Sequence, residues 1–194
     1  MIELSNIKGV DIYLLDQLLK GKIHSGQRIL DAGCGNGRNL KFLIQQGFDT
    51  MGIDPKNDCI EKLRSEYPSV AQKFVRSDIE QFGDSKGFGA IICNAVLHFA
   101  KNHDHFDQLI DKLLSLLNKD GILFIRMTSD IGIETIIQNG VEGVFVIPDG
   151  STRYLLTRRK ADELVEKYGL TLDEPVKTVN VDGQRCMTTL VLRK

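Results

Sequence analysis

The stretch Ile29–Asn39, which reads Ile-Leu-Asp-Ala-Gly-Cys-Gly-Asn-Gly-Arg-Asn, decides the fold. It begins with apolar residues, has glycines at the alternate positions 33, 35 and 37, and is followed by apolar residues at helical spacing in Leu40–Ile44. This order predicts a strand, a tight glycine turn and a helix, the first half of a βαβ unit. Glycine suits such a turn because it reaches backbone conformations that other residues avoid, and because a ligand can lie against its main chain. The helix that follows directs unpaired N–H groups toward that ligand.

Two common nucleotide sites fit this turn poorly. A dinucleotide fingerprint, GxGxxG, needs a third glycine where this chain has Arg38, and a phosphate-binding P-loop needs a Gly-Lys-Ser/Thr ending that the turn lacks. Asp31, two residues before the first glycine, would lie unfavourably beside a pyrophosphate. This acid suits a ligand that carries positive charge at that end.

These residues resemble motif I of the class I S-adenosylmethionine-dependent methyltransferases, which is similar to apolar-apolar-Asp-apolar-Gly-x-Gly-x-Gly. The ligand of that family carries a sulfonium and an ammonium group, so an acid has an electrostatic reason to be there. The resemblance implies that S-adenosylmethionine is the cofactor. It also implies that the motif residues bind it: Asp31, Gly33, Cys34, Gly35 and Gly37.

The composition is that of an ordinary globular chain. Its 194 residues are 42% hydrophobic and 26% charged, which is enough for one domain with a sizeable core. With 25 Lys+Arg against 26 Asp+Glu, the net charge of -1 creates no field that attracts nucleic acid, so we expect no nucleic-acid partner. No apolar run is long enough to span a bilayer and no signal peptide is visible, so we expect no membrane partner.

The cysteines and histidines indicate neither disulfides nor a metal. The four cysteines are widely spaced and form no CxxC pair, which predicts reduced thiols in a cytoplasmic protein. His103, Asp104, His105 and Asp107 cluster at a predicted helix start, but adjacent and alternate ligands are poorly arranged for one ion. We therefore expect a solvated helix face there and no metal.

Along the chain, apolar segments predict five βα repeats, then a helix and a terminal hairpin. The predicted strands are Arg28–Ala32, Thr50–Ile53, Gln72–Arg76, Phe88–Cys93, Ile122–Met127, Thr171–Val179 and Arg185–Leu192. The predicted helices cover residues 9–20, the segment after the glycine turn to Gln46, Asp58–Tyr67, Asn102–Leu117 and Arg158–Tyr168. Asp182-Gly183 between the last two strands is a strong hairpin signal.

The predicted terminal hairpin distinguishes between two kinds of α/β fold. A dinucleotide fold would continue to a sixth parallel strand, whereas a hairpin resembles the methyltransferase sheet. The resemblance therefore implies an α/β three-layer sandwich with a seven-stranded mixed sheet, in the order 3-2-1-4-5-7-6, with strand 7 antiparallel.

The chain shows no repeat or linker, so we predict a single class I methyltransferase domain over residues 1–194. Residues 1–27 form an N-terminal helical segment, which either packs on the sheet edge or covers the cofactor, as N-terminal additions often do in the family it resembles. The irregular segment 128–157, with several glycines and Pro148, is predicted to be an insertion that shapes the acceptor site.

Two acids follow predicted strands. Asp54 directly follows the second strand, roughly 20 residues past the glycines, where a carboxylate holds a ribose in nucleotide-binding folds. The alternative is that Asp54 caps the helix Asp58–Tyr67. After the third strand, the family resemblance implies that Asp78 contacts the adenine amino group and that Ile79 packs on the ring, although Asp78 could instead cap a short helix ending near Phe82.

The residues after the fourth strand are the candidates for chemistry. Strands 1 and 4 of such a sheet are neighbours at the switch point where ligands lie, so Asn94 to His98 should face the methyl donor, with Asn94 contacting the cofactor. His98 is the candidate catalytic residue, since an imidazole can act as the base for an acceptor that carries a proton. Alternatively, His98 only lines the pocket or shapes the turn.

The resemblance implies a cytoplasmic S-adenosylmethionine-dependent methyltransferase. No Asn-Pro-Pro-Tyr or Asp-Pro-Pro-Tyr motif follows the fourth strand, which argues against methylation of an adenine or glutamine amino group, and we expect a small-molecule acceptor. We also expect a monomer or homodimer. Gly35–Asn39 and the ending from Asp182 are loosely similar to the compact tellurite-resistance type. Two other functions stay open, a non-catalytic S-adenosylmethionine-binding protein and an NAD(P)-dependent oxidoreductase, the latter disfavoured by Arg38 and the hairpin.

Overall fold

A computed structural model describes residues 7–137 and 140–194. The chain forms two compact units. The first comprises the described part of Met1–Ile92 together with Leu116–Ile122, and the second comprises Cys93–Ser115 and the described part of Leu123–Lys194. The first six residues of the predicted helical segment 1–27, and residues 138 and 139 of the predicted insertion, lie outside the described residues.

Helices and strands alternate as far as the third strand, and beyond it several strands follow one another without an α-helix between them. The helices are α1 (Ile12–Leu19), α2 (Leu40–Gln45), α3 (Asn57–Glu66), α4 (His103–Leu116) and α5 (Arg158–Tyr168). The strands are β1 (Arg28–Ala32), β2 (Asp49–Asp54), β3 (Phe74–Arg76), β4 (Phe88–Asn94), β5 (Leu117–Ser129), β6 (Val144–Val146), β7 (Thr152–Tyr154), β8 (Thr171–Leu172), β9 (Lys177–Val181) and β10 (Arg185–Arg193). Short 3-10 segments, Pro68–Lys73 and Leu97–Phe99, precede β3 and α4.

The first unit is a βαβ arrangement built on parallel strands. β1 pairs in parallel with both β2 and β4, and β2 pairs in parallel with β3. Helices α2 and α3 cover these strands through a buried cluster of Cys34, Leu40, Ile60, Leu63 and Phe74. Gly47, in the left-handed region at φ +76, ends α2, and the amide of Phe48 bonds back to the carbonyl of Leu43.

Helix α1 is attached to the glycine turn at its first residue. The side chain of Asp11 caps the helix by accepting from the amide of Tyr13 at 3.0 Å. The amide of Asp11 in turn donates to Oδ1 of Asn39, which begins the helix after the glycines, at 3.0 Å in a buried position. The N-terminal helix is therefore fixed beside the end of the glycine turn.

The second unit contains the antiparallel strands and a small hairpin. β10 pairs antiparallel with β8 and with β9, and β6 pairs antiparallel with β7. The hydroxyl of Thr188 lies 2.6 Å from that of Ser129 and 2.7 Å from that of Thr178, which joins β10 to β5 and β9 in the interior. Helix α5 has the bounds that the sequence predicts, Arg158–Tyr168, with Thr157 as its N-cap and Gly169 at its C-cap.

The predicted α/β fold with a mixed sheet is confirmed, but its count of seven strands is wrong. Within the described residues the main sheet has eight strands, in the order β3-β2-β1-β4-β5-β10-β8 with β9 also on β10. The predicted sixth strand, Thr171–Val179, is divided into β8 and β9. Pro175 lies in the gap, where it has no N–H for the ladder.

Other predicted boundaries shift by a few residues. The predicted third strand loses its first two residues to the 3-10 segment before β3, and β5 begins at Leu117 instead of Ile122. No helix within 7–137 and 140–194 is both long and apolar enough to cross a membrane.

Candidate functional site

The three glycines of the turn all have positive φ but serve different purposes. Gly33, Gly35 and Gly37 have φ of +82, +51 and +79, values that favour glycine. A Cβ at Gly37 would lie 2.7 Å from Cδ2 of Leu63, so this glycine allows α3 to pack closely. A Cβ at Gly35 would meet no atom within 4 Å, so the space above this glycine is open to a ligand.

Asp54 connects the end of β2 to the glycine turn. Its Oδ2 accepts from the amide of Gly35 at 2.9 Å and its Oδ1 accepts from the amide of Lys56 at 2.9 Å. The N-cap position of α3 is Lys56, so the alternative that Asp54 caps this helix is wrong. A carboxylate with one lone pair used on each oxygen keeps acceptor capacity for a ligand hydroxyl.

Asp31 is a buried acid whose charge the protein compensates only in part, through Arg38. Its side chain is 2% exposed, and within the described chain it receives no hydrogen bond. Burial, with a smaller contribution from the charge of Asp54, raises the pKa of Asp31 to about 7, although the Arg38 guanidinium opposes the shift. Such a group costs free energy when ionised, and a cationic ligand would remove that cost.

Three other predicted cofactor residues of the first unit, Cys34, Asp78 and Ile79, have contrasting positions. The side chain of Cys34 belongs to the buried cluster beneath α2 and α3, and burial raises the pKa of its thiol. Its main chain is held within the turn, because its amide donates to the carbonyl of Ile53 at 2.9 Å and its carbonyl accepts from the amide of Gly37 at 2.8 Å. Asp78 is exposed in the segment after β3, and the next residue, Ile79, is buried. The alternative role of Asp78 was to cap a short helix ending near Phe82. This segment is only a turn, in which the amide of Phe82 donates to the carbonyl of Asp78 at 3.2 Å.

In the second unit, β4 ends in a strained turn with an unsatisfied amide. Asn94 is 8% exposed, and neither its Oδ1 nor its Nδ2 has a hydrogen-bond partner. The next residue, Ala95, has φ +62, which costs a non-glycine residue about 1 kcal/mol or more. A buried orphaned amide beside backbone strain is typical of a ligand-binding position.

His98 lies in the 3-10 turn after Asn94 and is 7% exposed. Its Nδ1 is buried and has no hydrogen-bond partner. Burial, followed by the positive charges of Arg153 and Arg185, lowers the pKa of His98 to about 4. The imidazole is therefore neutral at physiological pH and able to accept a proton or a hydrogen bond.

The predicted insertion 128–157 contains the β6–β7 hairpin, which sequence analysis missed. Its signals were present, namely apolar Val144–Val146 and the turn residues Pro148-Asp149-Gly150 before Thr152–Tyr154. Tyr154 is 1% exposed, stacks on Phe106 and lies 3.0 Å from Nδ1 of His103. It is a core residue of this unit.

Comparison with known proteins connects these features to a family. A family model described as a methyltransferase domain matches residues 12–174 of the chain. An uncharacterized methyltransferase of Schizosaccharomyces pombe is 30% identical over 121 residues, which are 60% of this chain and 80% of that protein. The tRNA U34 carboxymethyltransferase of Photobacterium profundum is 30% identical over 176 residues, which are 82% of this chain and 50% of that protein.

Solved methyltransferase structures share the fold. Magnesium protoporphyrin IX methyltransferase from Synechocystis PCC 6803, with bound SAM, has a TM-score of 0.70 at 16% identity, covering 97% of this chain and 79% of that one. TehB from Haemophilus influenzae, of the tellurite-resistance type, has a TM-score of 0.64 at 20% identity, covering 92% and 61%. Because the family model covers most of the chain, the chain belongs to the methyltransferase domain family, and the class I S-adenosylmethionine-dependent methyltransferase resemblance of its sequence is confirmed.

Proposed function

We propose that this protein transfers a methyl group from S-adenosylmethionine to a small-molecule acceptor. The observation that carries the proposal is the pair of acids around the glycine turn. Asp54 is held against the amide of Gly35 at 2.9 Å with acceptor capacity to spare, and Asp31 is a buried carboxylate without a hydrogen bond in the described chain. A hydroxyl-bearing, positively charged ligand complements both.

The residues present fit this cofactor. The open space above Gly35 admits a ligand against the main chain, Asp54 would accept from the ribose hydroxyls, and Asp31 would balance the positive end. Asp78 and Ile79 are proposed to hold the adenine, and Gly33, Cys34 and Gly37 to shape the turn around it. The orphaned amide of Asn94 offers both a donor and an acceptor to a bound molecule.

When bound, S-adenosylmethionine supplies a methyl group on a sulfonium, whose departure needs no general acid. The chain must therefore orient the acceptor, exclude water and, where the acceptor carries a proton, remove it. His98 is proposed as that base, because its neutral imidazole has a buried Nδ1 without a partner.

A small-molecule acceptor is the narrower part of the proposal. The matched relatives differ in what they modify, since one is a tRNA enzyme and one acts on a magnesium porphyrin. The net charge of -1 favours the small molecule over a nucleic acid. Four free cysteines favour a reducing compartment, so the proposal places the protein in the cytoplasm. The proposal also keeps the expected monomer or homodimer.

The test has two stages on the full-length protein. Calorimetry with S-adenosylhomocysteine and, separately, NAD measures which ligand binds. Transfer of a labelled methyl group is then measured to total tRNA and to a panel of small thiols, amines, phenols, carboxylates and metalloid oxyanions.

We expect S-adenosylhomocysteine to bind, NAD not to bind, and label to enter a small molecule. Binding of NAD alone would instead support an oxidoreductase. Cofactor binding with label only in tRNA would overturn the small-molecule acceptor, and cofactor binding without any transfer would support a non-catalytic binding protein.

A further inference from the structure

An exposed aromatic ring, an arginine and a buried histidine form a cluster in the second unit. The ring of Phe99, in the 3-10 turn after β4, is 62% exposed. The ring of His98 lies 4.5 Å from it in an edge-on arrangement, and Cζ of Arg153 on β7 lies 5.0 Å from its centroid. We call these three residues the Phe99 cluster.

The charge of Arg153 is not matched by an acid. Its recorded hydrogen bond within the described residues goes to a main-chain oxygen, the carbonyl of Thr152, at 2.7 Å, and it forms no ion pair among those residues. Arg185 differs, because Asp149 lies 3.3 Å from its guanidinium. Arg153 therefore keeps most of its five N–H donors for an incoming acceptor group.

The histidine of the cluster also lacks a partner. Nδ1 of His98 is buried and makes no hydrogen bond, although a buried polar atom ordinarily has one. Arg153 and Arg185 both disfavour a proton on this ring, so the cluster has an excess of positive charge that no side chain in it offsets. A ligand that supplies an oxyanion to Arg153 and a polar group to His98 would satisfy both.

We infer that the methyl acceptor carries a carboxylate or phosphate group, which Arg153 binds beside the exposed ring of Phe99 while Nδ1 of His98 bonds to the acceptor. Arg153 is thus a specificity-determining residue. A guanidinium forms paired hydrogen bonds with either oxyanion, and the exposed ring supplies an apolar contact for the remainder of the molecule. The inference rests on the proposed function, because it describes the acceptor of that reaction.

The experiment uses two probes of the same shape and different charge. Benzoate and benzamide are titrated into the full-length protein, and the ring signals of His98 are followed by NMR, with inorganic phosphate as a third probe. We expect benzoate to bind roughly tenfold more tightly than benzamide, the difference expected from a charge-assisted hydrogen bond. A response to phosphate alone would assign the oxyanion as a phosphate, and a response to benzoate alone would assign it as a carboxylate.

Two variants of Arg153 and one matched control complete the test. Arg153→Gln should reduce the affinity for benzoate to that for benzamide. Arg153→Lys should retain part of the preference for benzoate over benzamide, since lysine keeps the positive charge but lacks the paired N–H donors of a guanidinium. The control is Arg159→Gln, because Arg159 is an 82% exposed arginine of α5 paired with Glu163. It should bind benzoate as the wild type does.

Equal affinities for benzoate and benzamide in the wild type, without a response to phosphate, would overturn the inference. Unchanged benzoate affinity in both Arg153 variants would do so as well, and a native-like spectrum of Arg153→Lys guards against a folding defect. Calorimetry with S-adenosylhomocysteine on the same samples separates the two claims. If the protein binds the cofactor but shows no preference for the anion, only the inference of an anionic acceptor is contradicted. If it binds the anion but not the cofactor, the proposed function is contradicted.

Discussion

At the scale of single residues, the two acids of the first unit show opposite ways of holding a carboxylate. Asp54 accepts main-chain hydrogen bonds from Gly35 and Lys56, so its charge is stabilised before any ligand arrives. Asp31 has no such bond, is 2% exposed and has its pKa raised to about 7 by burial, with Asp54 adding to the shift and Arg38 opposing it. Asp54 shapes the turn, whereas the carboxyl group of Asp31 has no donor in the described chain and can pair with a positively charged ligand.

Replacing Asp54 tests the proposed ribose contact. Asp54→Ala should weaken binding of S-adenosylhomocysteine by ~1.5–3 kcal/mol, the loss expected for hydrogen bonds to a charged group, as measured by calorimetry. The control is Asp49→Asn at the start of the same strand, where the carboxylate pairs with Lys73 on the surface. If Asp54→Ala bound S-adenosylhomocysteine as tightly as the wild type does, the proposed contact between Asp54 and the ribose would be wrong.

The raised pKa of Asp31 predicts a pH-dependent stability. The folded ligand-free protein binds a proton at Asp31 up to about pH 7, whereas the unfolded chain releases it near pH 4. This contribution to stability is therefore complete below about pH 4 and is lost as the pH rises through 7. Asp31→Asn removes this titrating group. The free energy of unfolding of the variant, measured with denaturant, should therefore exceed that of the wild type by roughly 1–4 kcal/mol at pH 8, and by much less at pH 5.

The same substitution should weaken cofactor binding, because an amide cannot balance a positive ligand. In the wild type, affinity for S-adenosylmethionine should rise between pH 6 and 8 as Asp31 ionises, and in Asp31→Asn it should be lower and nearly flat over that range. A stabilised variant with undiminished affinity would contradict the view that Asp31 is kept for the ligand.

His98 has a pH signature that distinguishes a base from a lining residue. Because burial and two arginines hold its pKa near 4, a base at this position would give turnover an acid limb near pH 4, well below the ordinary value of 6.5. We expect His98→Ala to reduce turnover by roughly 10²–10⁴-fold while cofactor affinity stays within about twofold. The control is His24→Ala, at an exposed histidine of the first unit. Wild-type turnover in His98→Ala would assign His98 a lining role.

At the scale of elements, the sequence predicts best where local chemistry decides the structure. The predicted bounds of α5 are confirmed and the end of α2 lies within one residue of the predicted Gln46, since helix ends depend on one or two nearby residues, here Thr157, Gly169 and Gly47. Pro175, by contrast, lies inside the predicted sixth strand, which it divides because it has no N–H for the ladder. The β6–β7 hairpin was likewise missed, because its strands of three residues are too short for a clear alternation.

The attachment of α1 to the glycine turn gives a prediction for one element. Asn39→Ala leaves the buried amide of Asp11 without its acceptor, which should cost ~1–3 kcal/mol in the free energy of unfolding. It should also speed hydrogen exchange in Ile12–Leu19, because the start of this helix loses its anchor. Asn57→Ala at the exposed start of α3 is the matched control and should stay within about 0.5 kcal/mol. Unchanged exchange in α1 would show that Asn39 does not anchor it.

At the scale of the whole molecule, the residues proposed to bind the cofactor can be read from the sequence, whereas those proposed to bind the acceptor cannot. Asp31, Gly35 and Asp54 belong to one local pattern, in which spacing along the chain fixes position in the turn. Arg153 and Phe99 are separated by more than 50 residues along the chain, and no local pattern specifies the contact between them. The orphaned amide of Asn94 is also invisible in the sequence, since it depends on what surrounds the side chain.

The effect of the cofactor on the stability of the whole chain gives the final prediction. A ligand that binds only the folded state at 100 times its dissociation constant stabilises it by about 2.7 kcal/mol. For a chain of 194 residues this corresponds to a rise in Tm of roughly 5–11 °C with S-adenosylhomocysteine, measured by calorimetric or fluorescence melting. The same concentration of NAD should give no rise. In Asp54→Ala, the rise at the wild-type ligand concentration should fall to about half or less, because the weaker affinity lowers the ratio of ligand to dissociation constant about tenfold or more. An equal rise in Tm in Asp54→Ala and in the wild type would mean that S-adenosylhomocysteine stabilises the fold through a site other than the turn that Asp54 contacts.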